Sequence, residues 1–181
     1  MLVITIPASE LWNEKTQTFD YTKEQTIQLE HSLVSISKWE SKWHKPFLSK
    51  KDKTFEETMD YIRCMTLTQN VDPNVYSALT QENIDKIDKY IRDPMTATTF
   101  SDDKSGKNNR EIVTAEVIYH WMIAQNIPAE YRKWHLNKLI ALIRVCSIKN
   151  TPPGKRKNSK DLASQYAALN MARRKQLNSK G

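Results

Sequence analysis

Glycine is scarce in this chain, and its scarcity limits the fold more than any other feature of the sequence. Only three glycines occur in 181 residues, at Gly106, Gly154 and Gly181. A Walker loop, a dinucleotide-binding fingerprint and a nucleophile elbow each need several glycines close together, because the backbone must turn tightly and approach a ligand. The spacing of these glycines excludes those three motifs and the enzyme classes that depend on them.

Positive charge is concentrated at the C-terminal end of the chain. Residues 151–181 carry eight Lys and Arg residues and one Asp, a net charge of +7, whereas residues 1–150 carry twenty basic and twenty acidic residues. Pro152, Pro153 and Gly154 break any regular element at the boundary. The sequence therefore predicts one domain over residues 1–150 and a flexible basic tail over residues 151–181.

The N-terminal residues predict strands, and the rest of the domain predicts helices. Leu2–Ile6 is a β-branched run, and we expect residues 18–21 and 26–31 to pair with it in a small antiparallel sheet. From Leu33 onward, apolar residues recur at three- and four-residue steps, and this first helix ends before Pro46. The sequence thus predicts a mainly α fold of the α+β class, with a small N-terminal antiparallel sheet packed on a bundle of about five helices.

Two helical signals after the first helix carry specific expectations. Thr54 and Glu57 form a capping box that opens a helix over residues 55–67, with Phe55 on its apolar face. Residues 111–125 and 131–148 are strongly apolar and joined by a short turn. They predict an antiparallel helical hairpin at the centre of the core.

Residues suited to catalysis or metal binding are few and scattered. The four histidines and two cysteines include no pair at the two-to-four-residue spacing of zinc ligands. His120 and His135 would face each other across the predicted hairpin, although imidazoles at the edge of a core are the commoner case. Cys64 lies inside a predicted helix, where a packed thiol is the usual state. We therefore predict no enzyme, no cofactor and no metal site.

An aromatic cluster in the first helix is a candidate for partner binding. Trp39 and Trp43 are four residues apart on one helical face, and Phe47 follows them. In one interpretation both tryptophans belong to the core. In the other they form a partly exposed docking patch, since tryptophan is enriched at binding hot spots.

The basic tail is the second candidate for partner binding. Residues 161–177 have a helical composition, in which Leu162, Tyr166 and Leu169 form an apolar row followed by Arg173. This row predicts a segment that orders on a protein partner. A solvated charge run and a nucleic-acid-binding segment are the alternatives. Nucleic-acid binding is the weaker of these because the neutral domain offers no recognisable reading motif.

Several long strings of this sequence resemble one protein family. They are LEHSLVSISKWESKWHKPFL (29–48), DYIRCMTLTQNV (60–71), DPMTATTFSDDK (93–104), REIVTAEVIYHWMI (110–123) and KWHLNKLIALIRVCSIKNTPP (133–153). In order and spacing they resemble the tail assembly chaperones of long-tailed phages and prophages. The ending ALNMARRKQLNSKG is similar to the basic ending of that family. The resemblance covers nearly the whole chain.

The resemblance implies a non-enzymatic protein of the host cytoplasm that binds the tape measure protein, and tail-tube subunits, while the tail is being built. It also implies self-association and a longer, frameshifted form that shares the N-terminal domain. No functional residue is carried over from the family. A structural component retained in the finished tail and a nucleic-acid binder remain the alternatives. No apolar run approaches the roughly 18 residues of a membrane span, so we expect no membrane partner.

Overall fold

The computed structural model describes residues 1–14, 17–49, 52–100 and 112–150. Residues Met1–Ser147 belong to one structural unit, to which the following description applies. The predicted basic tail over residues 151–181 lies outside the described residues, and so does most of the polar stretch that precedes residue 112.

Among the described residues, helices dominate and strands occur only at the N-terminal end, so the predicted α+β class is confirmed. The strands are β1 (Leu2–Ile6), β2 (Ser9–Asn13), β3 (Thr18–Thr22) and β4 (Gln25–Leu29). The α-helices are α1 (Leu33–Trp43), α2 (Phe55–Met65), α3 (Gln81–Arg92), α4 (Ala115–Ala124) and α5 (Leu136–Asn150), and two 3₁₀ helices span Pro73–Ala78 and Ala129–Lys133. None of the helices in these ranges is both long and apolar enough to cross a bilayer.

The strands form two separate two-stranded sheets rather than the single sheet predicted. β1 pairs with β4 and β2 pairs with β3, both antiparallel. The expectation that residues 18–21 pair with the first strand is therefore wrong. Pro7 has no N–H to donate, so the ladder of β1 ends there and the chain turns into β2. β2 lies next to β3 in sequence, and a local hairpin costs less loop-closure entropy than a return to β1.

The core lies between the inner face of the β1–β4 sheet and the helices. α1 is its central element, because it packs against both α2 and α4. Fully burying an aliphatic or aromatic side chain contributes about 1.5–3 kcal/mol. The largest fully buried side chains are Trp39, Ile6, Ile27, Leu29, Leu33, Ile36, Ile62, Met65, Ile118, Leu136, Leu139 and Val75.

The predicted capping box is present at the start of α2. Thr54 Oγ1 accepts a hydrogen bond from the Glu57 N–H at 3.2 Å, and Glu57 Oε2 accepts one from the Thr54 N–H at 2.8 Å. Phe55, however, is 79% exposed, so its predicted place on the apolar face is wrong. Helical side chains tilt toward the N-terminus, and Phe55 is the first residue of the helix. Its ring therefore extends beyond the turn that packs on the core.

The predicted helix over residues 131–148 is interrupted near its beginning. A 3₁₀ helix ends at Lys133, Trp134 is extended, and α5 begins only at Leu136. The Leu136 N–H donates to the His31 carbonyl oxygen at 2.7 Å, and Ser32 forms a β-bridge with His135. This contact redirects the chain, and α4 packs mainly on α1 instead of α5. The predicted α4–α5 hairpin is therefore wrong, although both helices contribute core residues.

The described turns are made without glycine. The non-glycine residues with positive φ are Gln17, His44, Asn70, Met95 and Asn126. His44 ends α1 in the left-handed conformation (φ 52°, ψ 36°), and its N–H donates to the Glu40 carbonyl oxygen at 2.8 Å. Pro46 follows two residues later and cannot continue the helix, so α1 ends where the sequence predicts.

The Glu40 side chain joins three parts of the chain. It projects from α1 and is only 8% exposed. Its Oε1 accepts from the Phe47 N–H and its Oε2 from the Ala115 N–H, both at 2.7 Å. Ala115 is the first residue of α4, and the N-cap residue Thr114 makes no side-chain hydrogen bond to that helix. A carboxylate is stabilising at a helix N-terminus, so Glu40 serves as the cap of α4.

Replacing Glu40 by Ala should destabilise the protein, because two buried N–H groups then lose their acceptor. We expect the free energy of unfolding in urea to fall by about 3 kcal/mol, since each hydrogen bond to a charged group contributes about 1.5–3 kcal/mol. Glu24→Ala, at an exposed position, is the matched control and should change it by less than about 0.5 kcal/mol. Equal stability of Glu40→Ala and the wild type would contradict the capping role.

Candidate interaction surface

The predicted aromatic cluster of Trp39, Trp43 and Phe47 lies at the interface between α1 and α2. Trp39 is 1% exposed and its Nε1–H donates to the Glu57 carbonyl oxygen at 2.9 Å. Its ring contacts Phe47, with 5.2 Å between the centroids, and Phe47 is also buried. Trp43 is half-buried, and its ring stacks on that of Trp39. Trp39 and Phe47 thus belong to the core in this structure, and their role in partner binding stays a prediction.

Hydrogen bonds to charged side chains also stabilise the interface between α1 and α2. Asp60 accepts hydrogen bonds from the Trp43 indole at 2.9 Å and from Lys42, and Glu57 accepts one from Lys45. The Lys45 hydrogen bond and the capping N–H lower the pKa of Glu57. Burial works to raise the pKa of Asp60, but the hydrogen bonds from Lys42 and Trp43 outweigh it and lower that pKa. The exposed part of Trp43 is what remains of the cluster for a partner.

The remaining predicted partner residues belong to the basic tail. These are Leu162, Tyr166, Leu169 and Arg173, and all four lie outside the described residues. Their role in partner binding stays a prediction.

The principal cluster of buried titratable groups surrounds His31. The His31 Nδ1 and the Tyr61 hydroxyl share a hydrogen bond of 2.5 Å, and the His135 ring lies 5.1 Å from the His31 ring, centroid to centroid. His135 Nε2–H donates to the Tyr90 carbonyl oxygen at 3.0 Å. His120 is exposed, whereas His135 is buried. No group of three metal-binding side chains occurs in the described ranges.

This cluster joins several elements, and burial favours the uncharged forms of His31 and Tyr61. Burial lowers the pKa of His31 from 6.5 to about 4, and His135 adds to the shift. Burial also raises the pKa of Tyr61, so its hydroxyl stays protonated in the hydrogen bond that it shares with His31. Every buried side-chain nitrogen and oxygen of the described residues has a hydrogen-bond partner. The hydrogen bonds of these groups therefore offset the cost of burying them.

An aromatic surface that the sequence analysis missed lies on the β2–β3 hairpin. Trp12, Phe19 and Tyr21 are 54%, 66% and 62% exposed. Trp12 lies directly opposite Phe19, and their rings meet edge to face with centroids 5.0 Å apart. Tyr21 lies on the same face two residues further along β3, opposite Glu10. We call the surface formed by Trp12, Phe19 and Tyr21 the aromatic face.

The opposite face of the hairpin attaches it to the domain. Thr22 is fully buried, and its Oγ1 lies 2.9 Å from the Ser9 Oγ across the ladder. Both strands contact the 3₁₀ helix Pro73–Ala78. Because successive side chains of a strand point to opposite faces, fixing this side turns the aromatic face outward. The alternation of aromatic and polar residues in TFDYT was the signal available in the sequence.

Comparison with known proteins adds no family to these observations. No family model matches the chain, and neither the curated proteins nor the solved structures provide a match. The aromatic face is therefore the structural basis for a functional proposal.

Because the pKa of His31 is lower in the folded state, the protein should become less stable as the pH is lowered. The unfolded state binds a proton at His31 near pH 6.5, whereas the folded state does so only near pH 4. Stability should thus decrease as the pH falls through this window, by about 3 kcal/mol in total. Urea unfolding between pH 7 and pH 4 measures this loss.

Two variants separate the effect of His31 from other titrations. His31→Gln should unfold with a shallower pH dependence in this window, because the group that titrates has been removed. His120→Gln, at an exposed histidine, should retain the slope of the wild type. An unchanged slope in His31→Gln would contradict the assignment.

Proposed function

We propose that this protein is a tail assembly chaperone of a long-tailed phage or prophage, which binds the tape measure protein in the host cytoplasm during tail assembly. The proposal takes its family from the resemblance described above. The structural observation that supports it is the aromatic face of the β2–β3 hairpin, with three aromatic side chains exposed by more than half. A chaperone needs exposed apolar surface to hold its client, and contiguous exposed apolar patches mark interaction sites.

The form of the aromatic face fits a rod-shaped helical client. A five-residue strand extends about 17 Å, or roughly three turns of a helix. Tryptophan and tyrosine supply large contact areas with few rotatable bonds, so little side-chain entropy is lost on binding. The Trp12–Phe19 pair is already formed in the free protein, which reduces the ordering cost further. Such a small face binds weakly on its own, and weak contacts permit the release that assembly requires.

Further partners follow from the same proposal. A longer frameshifted form would share the N-terminal hairpin and present the same aromatic face. Tail-tube subunits and further copies of this chain are the other proposed partners. Several copies along one rod would add their weak contacts, because linked sites bind far more tightly than single ones.

Co-expression with the tape measure protein of the same genome tests the proposal. The wild-type protein should keep that client in the soluble fraction after centrifugation. The triple variant Trp12→Ser, Phe19→Ser, Tyr21→Ser should lower the soluble client several-fold, because the aromatic anchors are lost. The matched control is Phe55→Ser, Ile123→Ser, Ile148→Ser, which removes three apolar side chains that are also exposed by more than half and should behave as the wild type.

Each outcome of this experiment has a defined meaning. A client that is equally insoluble with and without the wild-type protein overturns the chaperone proposal. A client rescued equally by both triple variants overturns the role of the aromatic face. Recovery of the protein in purified virions would favour the alternative of a structural tail component.

A further inference from the structure

A second surface, separate from the β2–β3 hairpin, has the chemistry of a binding groove. A cavity of about 510 Å³ opens between the N-terminal half of α1, the end of α2 and the 3₁₀ helix Ala129–Lys133. Its lining includes Val34, Lys38, Met65, Leu67, Arg132 and Lys133. We propose that this groove binds an amphipathic helix of a partner protein that carries acidic residues beside its apolar stripe.

The floor of the groove is largely apolar. Met65 is fully buried beneath it, and Val34 and Cys64 are half-buried along it. Leu67 is 54% exposed, although its backbone is firmly held, because its N–H donates to the Gln28 carbonyl oxygen at 2.8 Å. The β4 contact thus keeps an aliphatic side chain at the surface. An apolar stripe of a partner would cover it.

The rim of the groove is positively charged. Lys38, Arg132 and Lys133 are exposed, and none of them forms an ion pair within the part of the chain that the structure describes. The acidic lining residue Glu30 accepts a hydrogen bond from the Tyr90 hydroxyl at 2.6 Å and so is already engaged. Carboxylates of a partner would supply the missing countercharge.

Some other cations on the described helices are paired within the domain. Lys42 pairs with Asp60, Lys86 with Glu82, and Arg92 with Asp88. The groove also adjoins the N-terminus of α1, whose first turn contains no acidic residue. The positive end of the helix dipole therefore adds to the field of the three rim cations.

An acidic amphipathic helix is complementary to both the apolar floor and the positively charged rim of the groove. Its apolar residues at i, i+3, i+4 and i+7 would lie over Val34 and Leu67, and its flanking acidic residues would reach Lys38 and Arg132. A nucleic acid would use the cations but leave the apolar floor uncovered. This inference goes beyond the proposed function, because it concerns a different surface and does not require a tape measure protein.

Fluorescence anisotropy with a synthetic peptide tests the proposal on the full-length protein. The probe is a fluorescein-labelled helical peptide of about 21 residues, with Leu along one face and Glu on both flanks. The double variant Lys38→Glu, Arg132→Glu should weaken binding at least about tenfold, because rim attraction becomes repulsion. Lys23→Glu, Lys89→Glu changes the net charge equally at exposed sites outside the groove lining and should stay within about twofold of the wild type.

Two further comparisons identify the occupant. Leu67→Ser should weaken the Glu-flanked peptide several-fold, because the apolar contact is lost. A peptide with Lys in place of Glu should bind at least tenfold more weakly than the Glu-flanked one. Both double variants keep the basic tail, so peptide attraction to that segment affects them equally and cancels in the comparison.

Three results would overturn the proposal. The first is equal weakening by the two double variants, which would indicate attraction to net charge alone. The second is an absence of binding at 1 mM protein. The third is a single-stranded oligonucleotide that binds with the same dependence on Lys38 and Arg132 while Leu67→Ser has no effect on either probe. None of these results bears on client solubility, so the chaperone proposal stands or falls separately.

Discussion

The arrangement of the helices depends on one buried carboxylate, that of Glu40. Thr54 and Thr80 cap α2 and α3 from the adjacent residue, whereas the cap of α4 comes from a helix 75 positions earlier in the chain. A buried carboxylate without partners costs several kcal/mol, so α1 and α4 must be in register before Glu40 is satisfied. The start of α4 is therefore determined by tertiary structure. The same side chain also fixes the turn at Phe47, which places that ring beside Trp39.

Elements with local signals could be predicted from the sequence, and elements defined by distant contacts could not. The first helix, its end before Pro46 and the Thr54 capping box follow from neighbouring residues, and all are present. The pairing of β3 with β2 and the interruption before Leu136 depend on which backbone groups meet in space. The apolar pattern of residues 131–148 continues through that interruption, because side chains before it and after it both pack in the core.

The location of binding surfaces was also only partly predictable from the sequence. Two tryptophans on one helical face indicate a contact, but periodicity does not say whether the contact is inside the protein or outside it. Trp39 and Trp43 meet α2, while Trp12 and its neighbours on the hairpin meet no covering element among the described residues. The distinction depends on the opposite face of the hairpin, where Thr22 is buried. A single threonine is not a recognisable sequence signal, yet its burial determines which face of the β2–β3 hairpin is exposed to water.

The glycine-free turns have a consequence for the unfolded chain. Side chains with a Cβ restrict backbone conformation, so a chain that lacks glycine over the described ranges has fewer unfolded conformations to give up when it folds. The residues with positive φ destabilise the folded state instead, because the left-handed conformation costs a residue other than glycine about 1 kcal/mol. Asparagine, which tolerates this conformation best among residues with a Cβ, occupies two of these positions, Asn70 and Asn126. The protein therefore has backbone strain at a few turns, and it loses less conformational entropy along its whole backbone when it folds.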